Sequence, residues 1–313
     1  MLRYLITRTA SSAIVIMVVA VIVFILALIS GGDPATIYAG EDASPERLDA
    51  IRERMGLNQP THVQFLVWFW HILQGDFGTS LFTDLPVLTL VAQRVEPTVV
   101  LSLGTIIFSV AVAIPIGTAA ALNPGKKLDK ALSAFTNLAF ALPGFIAAYI
   151  LIYIFAVQLR WLPVQGYSPL SEGLGSTIRS VILPCATLSL IYVGLIARTT
   201  RASMLAVLQE DYIRSARARG ASTFRVVVSH AMRNATNSIT TVIGLGIASL
   251  LSGVTITETV FAIPGLGRLT VDAVLNRDFP IVQGLILLFA AVKITINLMI
   301  DLSYRLVDPR IEV

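Results

Sequence analysis

Charged residues are scarce in this chain. Asp, Glu, Lys and Arg make up 13% of its 313 residues, whereas hydrophobic residues make up 55%. Soluble domains carry about twice that share of charge, so the composition excludes an ordinary water-soluble protein. The formal net charge is only +4. The basic residues do not gather on one soluble face, so we expect no nucleic-acid partner.

Residues and motifs typical of catalytic, metal-binding or nucleotide-binding sites are also rare. The single cysteine, Cys185, lies in an apolar run and is predicted to be a small buried residue. The three histidines, His62, His71 and His230, lack metal-ligand spacing. No Gly-x-x-x-x-Gly-Lys-Ser/Thr, Gly-x-Ser-x-Gly or His-Glu-x-x-His string occurs. We therefore expect no catalytic residue, no metal, no cofactor and no ATP hydrolysis on this chain, which we predict is not an enzyme.

Long runs with little or no charge are what the chain has instead. A membrane helix needs about 20 apolar residues, and no run alternates as a membrane β-strand would. Six runs are long enough, the last interrupted only by Lys293: Thr9–Gly32, Pro97–Gly125, Ala131–Leu159, Ser180–Ala197, Asn234–Thr257 and Phe279–Ile300. The predicted fold is an all-α integral membrane protein with six transmembrane helices. The first run exceeds the core of a cleaved signal peptide, which favours a retained span.

Basic residues in the connections predict the orientation. Asn123–Lys130 carries three of them and Arg198–Arg233 carries seven, whereas Arg160–Arg179 and Pro264–Asp278 carry two each. The positive-inside rule then places both termini in the cytoplasm. We expect a multi-pass protein of the bacterial cytoplasmic (inner) membrane.

The predicted domains follow from the spans. Residues 1–96 hold the first span and a helical extracytoplasmic insert, residues 97–306 the transmembrane core, and residues 307–313 a cytoplasmic tail. The spans are predicted near 9–30, 98–122, 131–158, 180–198, 236–258 and 281–303, with a cytoplasmic loop at 199–234.

The insert is predicted to contain two helices. Ser44 and Pro45 suit the start of the first helix, and Gly56 suits its end. The second is predicted from His62 to Gln74, and its aromatic residues favour the membrane–water interface. Two interpretations stay open: a hairpin that lies on the bilayer and packs on the bundle, or a docking surface for a soluble partner.

The cytoplasmic loop contains a compact helix–glycine–helix element. We expect a helix over Asp211–Ala218, a left-handed Gly220 and a second helix capped by Ser222. Small side chains are expected to leave an approachable surface that arginines surround: Ala216, Ala218 and Ala221, with Arg214, Arg217 and Arg219. This pattern suits insertion into a groove on another protein. The alternative is a solvated loop whose charge serves topology alone.

This element resembles the signature loop of ABC-importer permeases, whose pattern is Glu-Ala-Ala, three residues, then Gly. Gly220 and Ala216 match, whereas Arg214 and Ser215 depart from the general pattern. The generic Leu-Pro that follows is replaced by Met232-Arg233. The whole string is instead similar to the dipeptide/oligopeptide/nickel branch. Other segments resemble the same branch, in family order: Gly32–Pro34, Gly56–Pro60, Gly75–Ser80, Leu142–Phe145, Glu258–Gly267, Arg277–Pro280 and Asp308–Ile311.

The resemblance implies the first permease subunit of a type I ABC importer. Its implied partners are a second homologous permease, two ATP-binding subunits that hold ATP and Mg, an extracytoplasmic substrate-binding protein and the lipid bilayer. The implied cargo is peptides, with nickel chelates, glutathione, opines or oligosaccharides as alternatives. An ATP-independent channel or carrier and a scaffold or receptor are the rivals outside the family. The residues implied to couple to the ATPase are Asp211, Tyr212, Arg214, Ser215, Ala216, Arg217, Ala218, Arg219, Gly220, Ala221 and Ser222.

Three polar residues in or next to the apolar runs are candidates for the translocation path or gate. A charge such as Lys293 costs about 3 kcal/mol in mid-membrane, so it either meets a substrate carboxylate or pairs with an acid. Asn297 is one turn further on the same face. Glu258 is either an outer-gate element or a carboxylate at the headgroup level.

Small residues and prolines predict how the spans pack and bend. Gly244, Ala248 and Ser252 recur every four residues, with Gly246 and Gly253 nearby, which favours close helix contact. A sliding surface is the alternative. Pro115 and Pro143 are predicted to bend the second and third spans.

Overall fold

The computed structural model describes residues 2–29, 34–39, 43–54 and 56–307. The chain divides into two compact units. Unit 1 comprises Met1–Glu96 and Arg268–Leu298, and unit 2 comprises Pro97–Gly267 and Met299–Val313. Gly32, Asp33, Met55 and Asp308–Ile311 lie outside the described residues, as does the predicted tail apart from Val307. The domain bounds drawn from the sequence stay predictions.

The described residues are helical or lie in loops, apart from an isolated bridge between Thr79 and Pro86. The helices are α1 (Leu2–Ile29), α2 (Pro34–Ala39), α3 (Pro45–Arg54), α4 (Thr61–Leu73), α5 (Val87–Leu122), α6 (Lys127–Ala141), α7 (Gly144–Leu151), α8 (Leu174–Leu208), α9 (Asp211–Ala218), α10 (Thr223–Arg225), α11 (Arg233–Val260), α12 (Leu266–Leu275) and α13 (Phe279–Val307). Two π-helical segments, Ile152–Gln158 and Val226–Met232, continue α7 and link α10 to α11. A short 3₁₀ turn covers Leu170–Glu172.

Four of the described helices are long and apolar enough to cross a membrane, and the number rises to six if each of two bent pairs is one span. The four are Arg8–Ile29, Val87–Leu122, Leu174–Leu208 and Phe279–Ile300. The bent pairs are Lys127–Ala141 with Gly144–Gln158, and Thr223–Leu250 with Gly253–Val260. The prediction of an all-helical membrane protein is confirmed.

The third predicted span is broken rather than bent. The two halves of this pair meet at 109°. Pro143 is the residue before α7, and Leu142 is extended after α6. Proline has no N–H and disfavours helical geometry in the residue before it, so the helix stops at this point. Pro115, in contrast, lies inside the continuous α5.

The core of unit 2 is built around α8. In its span 72% of the residues are buried, compared with 17% in α1. Glycines let neighbouring helices approach it closely. A Cβ at Gly104 of α5 would meet Cys185 Sγ, and a Cβ at Gly194 of α8 would meet the Thr136 carbonyl of α6. Cys185 is buried, as the sequence predicted.

The fifth span packs on α8 through two glycines. Gly246 lies against Tyr192 and Gly253 lies against Leu188. Gly244 instead approaches Ile300 of α13. The close helix contact expected from the small residues is therefore present. The contact with α8 is made by Gly246 and Gly253, which lie outside the series of residues that recurs every four positions from Gly244. The side chain of Ser252 lies outside the described part.

In unit 1 the aromatic face of α4 packs on α1. Phe24 of α1 makes an edge contact with Phe65, with ring centroids 5.4 Å apart, and its ring lies 5.5 Å from that of Trp68. The first predicted helix of the insert, α3, begins at the predicted position, and Ser44 Oγ accepts a hydrogen bond from the Arg47 N–H. Gly56 follows that helix with a φ of +68°.

Candidate functional site

The structure contains the predicted helix–glycine–helix element, and the first helix ends just before Gly220. We call residues 211–225, which hold α9, Gly220 and α10, the coupling element. Gly220 has a φ of +84°. The Ala221 N–H donates to the Ala216 carbonyl and the Gly220 N–H donates to the Arg217 carbonyl, which is the Schellman arrangement. Because a Cβ at Gly220 would meet nothing within 4 Å, glycine serves backbone conformation here rather than space.

The coupling element is anchored to its own chain along one face. Ile213 is fully buried and Ala216 is 4% exposed, and positions three apart share a helix face. α9 packs on the π-helical segment Val226–Met232. Ser222 caps α10 by accepting a hydrogen bond from the Arg225 N–H, and Asn234 donates to the Tyr212 hydroxyl at 2.8 Å.

Most of the other residues of the coupling element are exposed. The residues accessible there include Tyr212, Arg214, Arg217, Arg219 and Phe224. Phe224 is the most exposed of these apolar side chains, at 76%. Asp211 forms a solvent-exposed ion pair with Arg214, and such pairs contribute little stability. Asp211, Ser215, Ala218 and Ser222 are also exposed, whereas Ala221 is half-buried.

The expectation that Ala216 forms part of an approachable surface is therefore wrong. Its side chain points into the protein's own packing, so a bulky residue there would disturb the fold. Sequence reasoning also missed Phe224, an apolar side chain directly after the Ser222 cap. The spacing of Ile213 and Ala216 was the signal for the buried face, because they are the apolar positions of α9 that lie three residues apart.

A buried ion pair joins α6 to α8. Arg201 donates to both carboxylate oxygens of Asp129, with Nε–Oδ1 at 2.5 Å and Nη2–Oδ2 at 2.7 Å. Asp129 is 3% exposed and also accepts hydrogen bonds from the Gly125 N–H and the Ser133 hydroxyl. A bidentate arginine–carboxylate pair is both strong and directional. It fixes the start of α6 against the half of α8 that leads into the coupling element.

Glu258 is fully buried at the end of α11. The Thr98 hydroxyl donates to its carboxylate at 2.6 Å, and the same hydroxyl accepts from the Leu266 N–H. A Cβ at Gly265 would overlap the carboxylate, and a Cβ at Gly267 would overlap Thr255 and lie 3.0 Å from Glu258 Oε2. The structure thus places Glu258 inside a closed turn, and its assignment to the path or gate stays a prediction.

Lys293 and Asn297 lie in the last helix, in unit 1. Lys293 is exposed and Asn297 is half-buried. Among the residues that the structure describes, Lys293 has neither a hydrogen bond nor an ion pair. The assignment of Lys293 and Asn297 to the translocation path stays a prediction.

Unit 2 also contains a cavity of about 350 Å³ between α6, α7, α8 and α11. Phe140, Phe145 and Ile191 give it apolar walls, and Tyr192 and Ser249 add hydroxyls. The Ser249 hydroxyl also donates within its own helix, to the Gly246 carbonyl. Sequence reasoning missed this cavity because its lining carries no charge.

Two family models match the chain. Residues 113–313 match the binding-protein-dependent transport system inner membrane component, and residues 1–102 match the N-terminal domain of the same kind of membrane component. The first match alone covers more than half of the sequence.

Similar proteins carry names of the same kind. A probable peptide ABC transporter permease protein from Sinorhizobium fredii is 47% identical over 308 residues, which is 98% of each chain. A putative peptide transport system permease protein from Brucella abortus is 38% identical and a glutathione transport system permease protein from Salmonella choleraesuis is 39% identical, each over 99% of both chains.

A solved structure shares the fold. The inward-facing MetNI methionine ABC transporter matches with a TM-score of 0.59 and 18% identity, over 71% of this chain and 97% of that one. At this identity the likeness concerns the fold alone. Together with the family models and the similar proteins, it shows that this chain belongs to the binding-protein-dependent transport system inner membrane component family and is a permease subunit of an ABC importer.

Proposed function

We propose that the chain forms, with a homologous permease, a path for peptides that is driven by separate ATP-binding subunits through the coupling element. The observation that carries this proposal is the two-sided α9. One face of α9 is held by Ile213 and Ala216, so the element moves with its bundle, whereas Arg214 and Arg217 of α9 and Phe224 of α10 are exposed. Force applied to such an anchored element would pass into α8 and α11, which flank it in the chain.

The chemistry of the exposed face defines the partner surface. The exposed apolar Phe224 and the exposed Arg214 and Arg217 of the same element suit a partner surface that has an apolar pocket and an acidic rim. Electrostatic complementarity of this kind sets orientation and association rate, and a buried aromatic anchor supplies affinity. We place the element in the cytoplasm, where ATP is available, in line with the positive-inside distribution. ATP and Mg are held by the partner subunits.

Peptides are proposed as cargo because the two peptide permeases are similar along nearly the whole chain. The similar glutathione permease favours glutathione as a second candidate, since glutathione is itself peptide-like. Lys293 is proposed to meet a substrate carboxylate on the path. Selection between these cargoes would rest largely on the external binding protein that delivers them.

The coupling role is tested by reversing charge on the exposed face. In the complete reconstituted assembly, the double variant R214E/R217E is expected to lower ATP-driven peptide uptake roughly tenfold or more, because like charges then face each other. Permease-stimulated ATP hydrolysis should fall in parallel. The matched control is K126E, at an exposed basic residue of unit 2 outside the element. Equal uptake by the double variant and the control would refute the coupling role.

The cargo is tested separately with the unmodified assembly. Vesicles supplied with labelled dipeptides, longer peptides and glutathione should accumulate at least one of them only when ATP is present. Accumulation without the ATP-binding subunits would support a channel or carrier instead. K293A should reduce uptake of peptides with a free carboxylate more than uptake of amidated peptides, if the lysine meets that group.

A further inference from the structure

Unit 1 contains a groove of about 250 Å³ with apolar walls. Val23, Leu26 and Ala27 of α1 form one side, and Val282 and Ile286 of α13 form another. α1 keeps most of its apolar residues exposed, and in a membrane protein such a helix faces hydrocarbon. The groove therefore opens where lipid chains are available.

One amide side chain in this groove makes no hydrogen bond within the described residues. Gln283 of α13 lines the groove and is only 9% exposed. Within the described residues its side chain makes no hydrogen bond. Because Gln283 lines the groove and its amide is not used within the described chain, the groove offers a hydrogen-bond donor and acceptor to a ligand.

A cation lies at the rim of the same groove. Arg277 precedes α13, is exposed, and lines the groove together with Phe279. Gln283 lies four residues after the start of α13, which corresponds to roughly 6 Å along the helix axis. The polar layer on each side of a bilayer is about 5–7 Å thick. From the rim inward, the groove therefore presents the Arg277 cation, the Gln283 amide and then the apolar walls. A phospholipid presents its phosphate, its ester and its acyl chain in the same order.

We propose that this groove binds a phospholipid of the extracytoplasmic leaflet. The Arg277 guanidinium binds the phosphate, and the Gln283 amide donates to an ester carbonyl. The upper part of one acyl chain lies on Val23, Ala27 and Ile286, and the rest of the lipid remains in the bilayer. A bound lipid would fill the space between the first and last predicted spans.

The test uses the complete assembly in nanodiscs that contain phosphatidylglycerol with a photoactivatable acyl chain. Mass spectrometry after illumination should find adducts on residues 23–27 or 279–286. Competition with unlabelled lipid gives relative affinities. Q283L should weaken binding roughly 2- to 10-fold, because a neutral hydrogen bond is lost, and R277A roughly tenfold or more, because the bond to a charged phosphate is stronger.

A second glutamine–arginine pair provides matched controls. Gln158 ends the π-helical segment that continues α7, and Arg160 lies two residues further on. Both are exposed and line no part of the groove. Q158L and R160A should leave the adduct yield unchanged. The proposal is overturned if all four variants label alike, if adducts map elsewhere, or if the groove cross-links to another polypeptide. Because Arg277 is exposed, R277A remains informative even if Q283L folds poorly.

Discussion

Glu258 illustrates, at the scale of the residue, what a buried carboxylate requires. Its carboxyl group accepts a hydrogen bond from the Thr98 hydroxyl, and neighbouring glycines leave room for its oxygens. A carboxylate placed at the headgroup level would need no such arrangement. The glycines of the run Glu258–Gly267 are therefore needed to accommodate the buried Glu258 side chain.

The packing of this turn predicts the effect of a single methyl group. G265A should lower the free energy of unfolding by about 1–3 kcal/mol, because the new Cβ overlaps the Glu258 carboxylate in a filled site. Denaturant unfolding of the purified chain measures the change. G175A is the control, since a Cβ there meets nothing within 4 Å. Comparable stability of the two variants would show that the turn relaxes at no cost.

The sequence revealed Glu258 but not its surroundings. Thr98 lies 160 residues away in the chain, and no local pattern joins the two positions. The same holds for Asp129 and Arg201, 72 residues apart. Contacts of this range depend on how the helices pack, which periodicity does not specify.

At the scale of the element, α8 organises unit 2. Glycines of α5 and α11 approach it closely, its own Gly194 lets α6 approach, and the Asp129–Arg201 pair fixes its second half. This arrangement makes α8 a rigid connection between the buried core and the coupling element. Its existence was predictable from an apolar run, whereas its length was not, because the structured helix extends beyond that run at both ends.

The ion pair predicts a measurable coupling energy between α6 and α8. A double-mutant cycle with D129A and R201A should give about 1–3 kcal/mol, because the carboxylate is buried although the arginine stays partly exposed. The exposed pair Asp49–Arg52 of α3 serves as the comparison and should give less than about 0.5 kcal/mol. Equal coupling energies for the two pairs would contradict the role assigned to the buried one.

Other elements show where sequence patterns stop short. The start of α3, the stop at Gly56 and the left-handed Gly220 were predicted, because caps and positive φ angles are local. The break at Pro143 was predicted only as a bend, since the apolar run continues through it without a polar signal. Ala216 was assigned to the wrong face because the interpretation relied on its small side chain. Its spacing of three residues from Ile213 would have placed it on the buried face.

At the scale of the whole molecule, the permease depends on other chains. Its fold supplies helices, a cavity and an anchored coupling element, and the ATP-binding subunits and the binding protein proposed above would be separate chains. The family could be inferred from the sequence because its motifs recur in order along the chain. The cargo could not, because neither the cavity lining nor Lys293 specifies one solute.

The exposed face of the coupling element is proposed to contact an ATP-binding subunit. The chain's only cysteine is buried, so R217C would supply a single accessible thiol. In the purified complete assembly, a short thiol-reactive cross-linker on R217C should capture the ATP-binding subunit, with a yield that changes on addition of ATP, whereas K126C should give much less. An R217C thiol that captures no ATP-binding subunit, with or without ATP, would contradict the account.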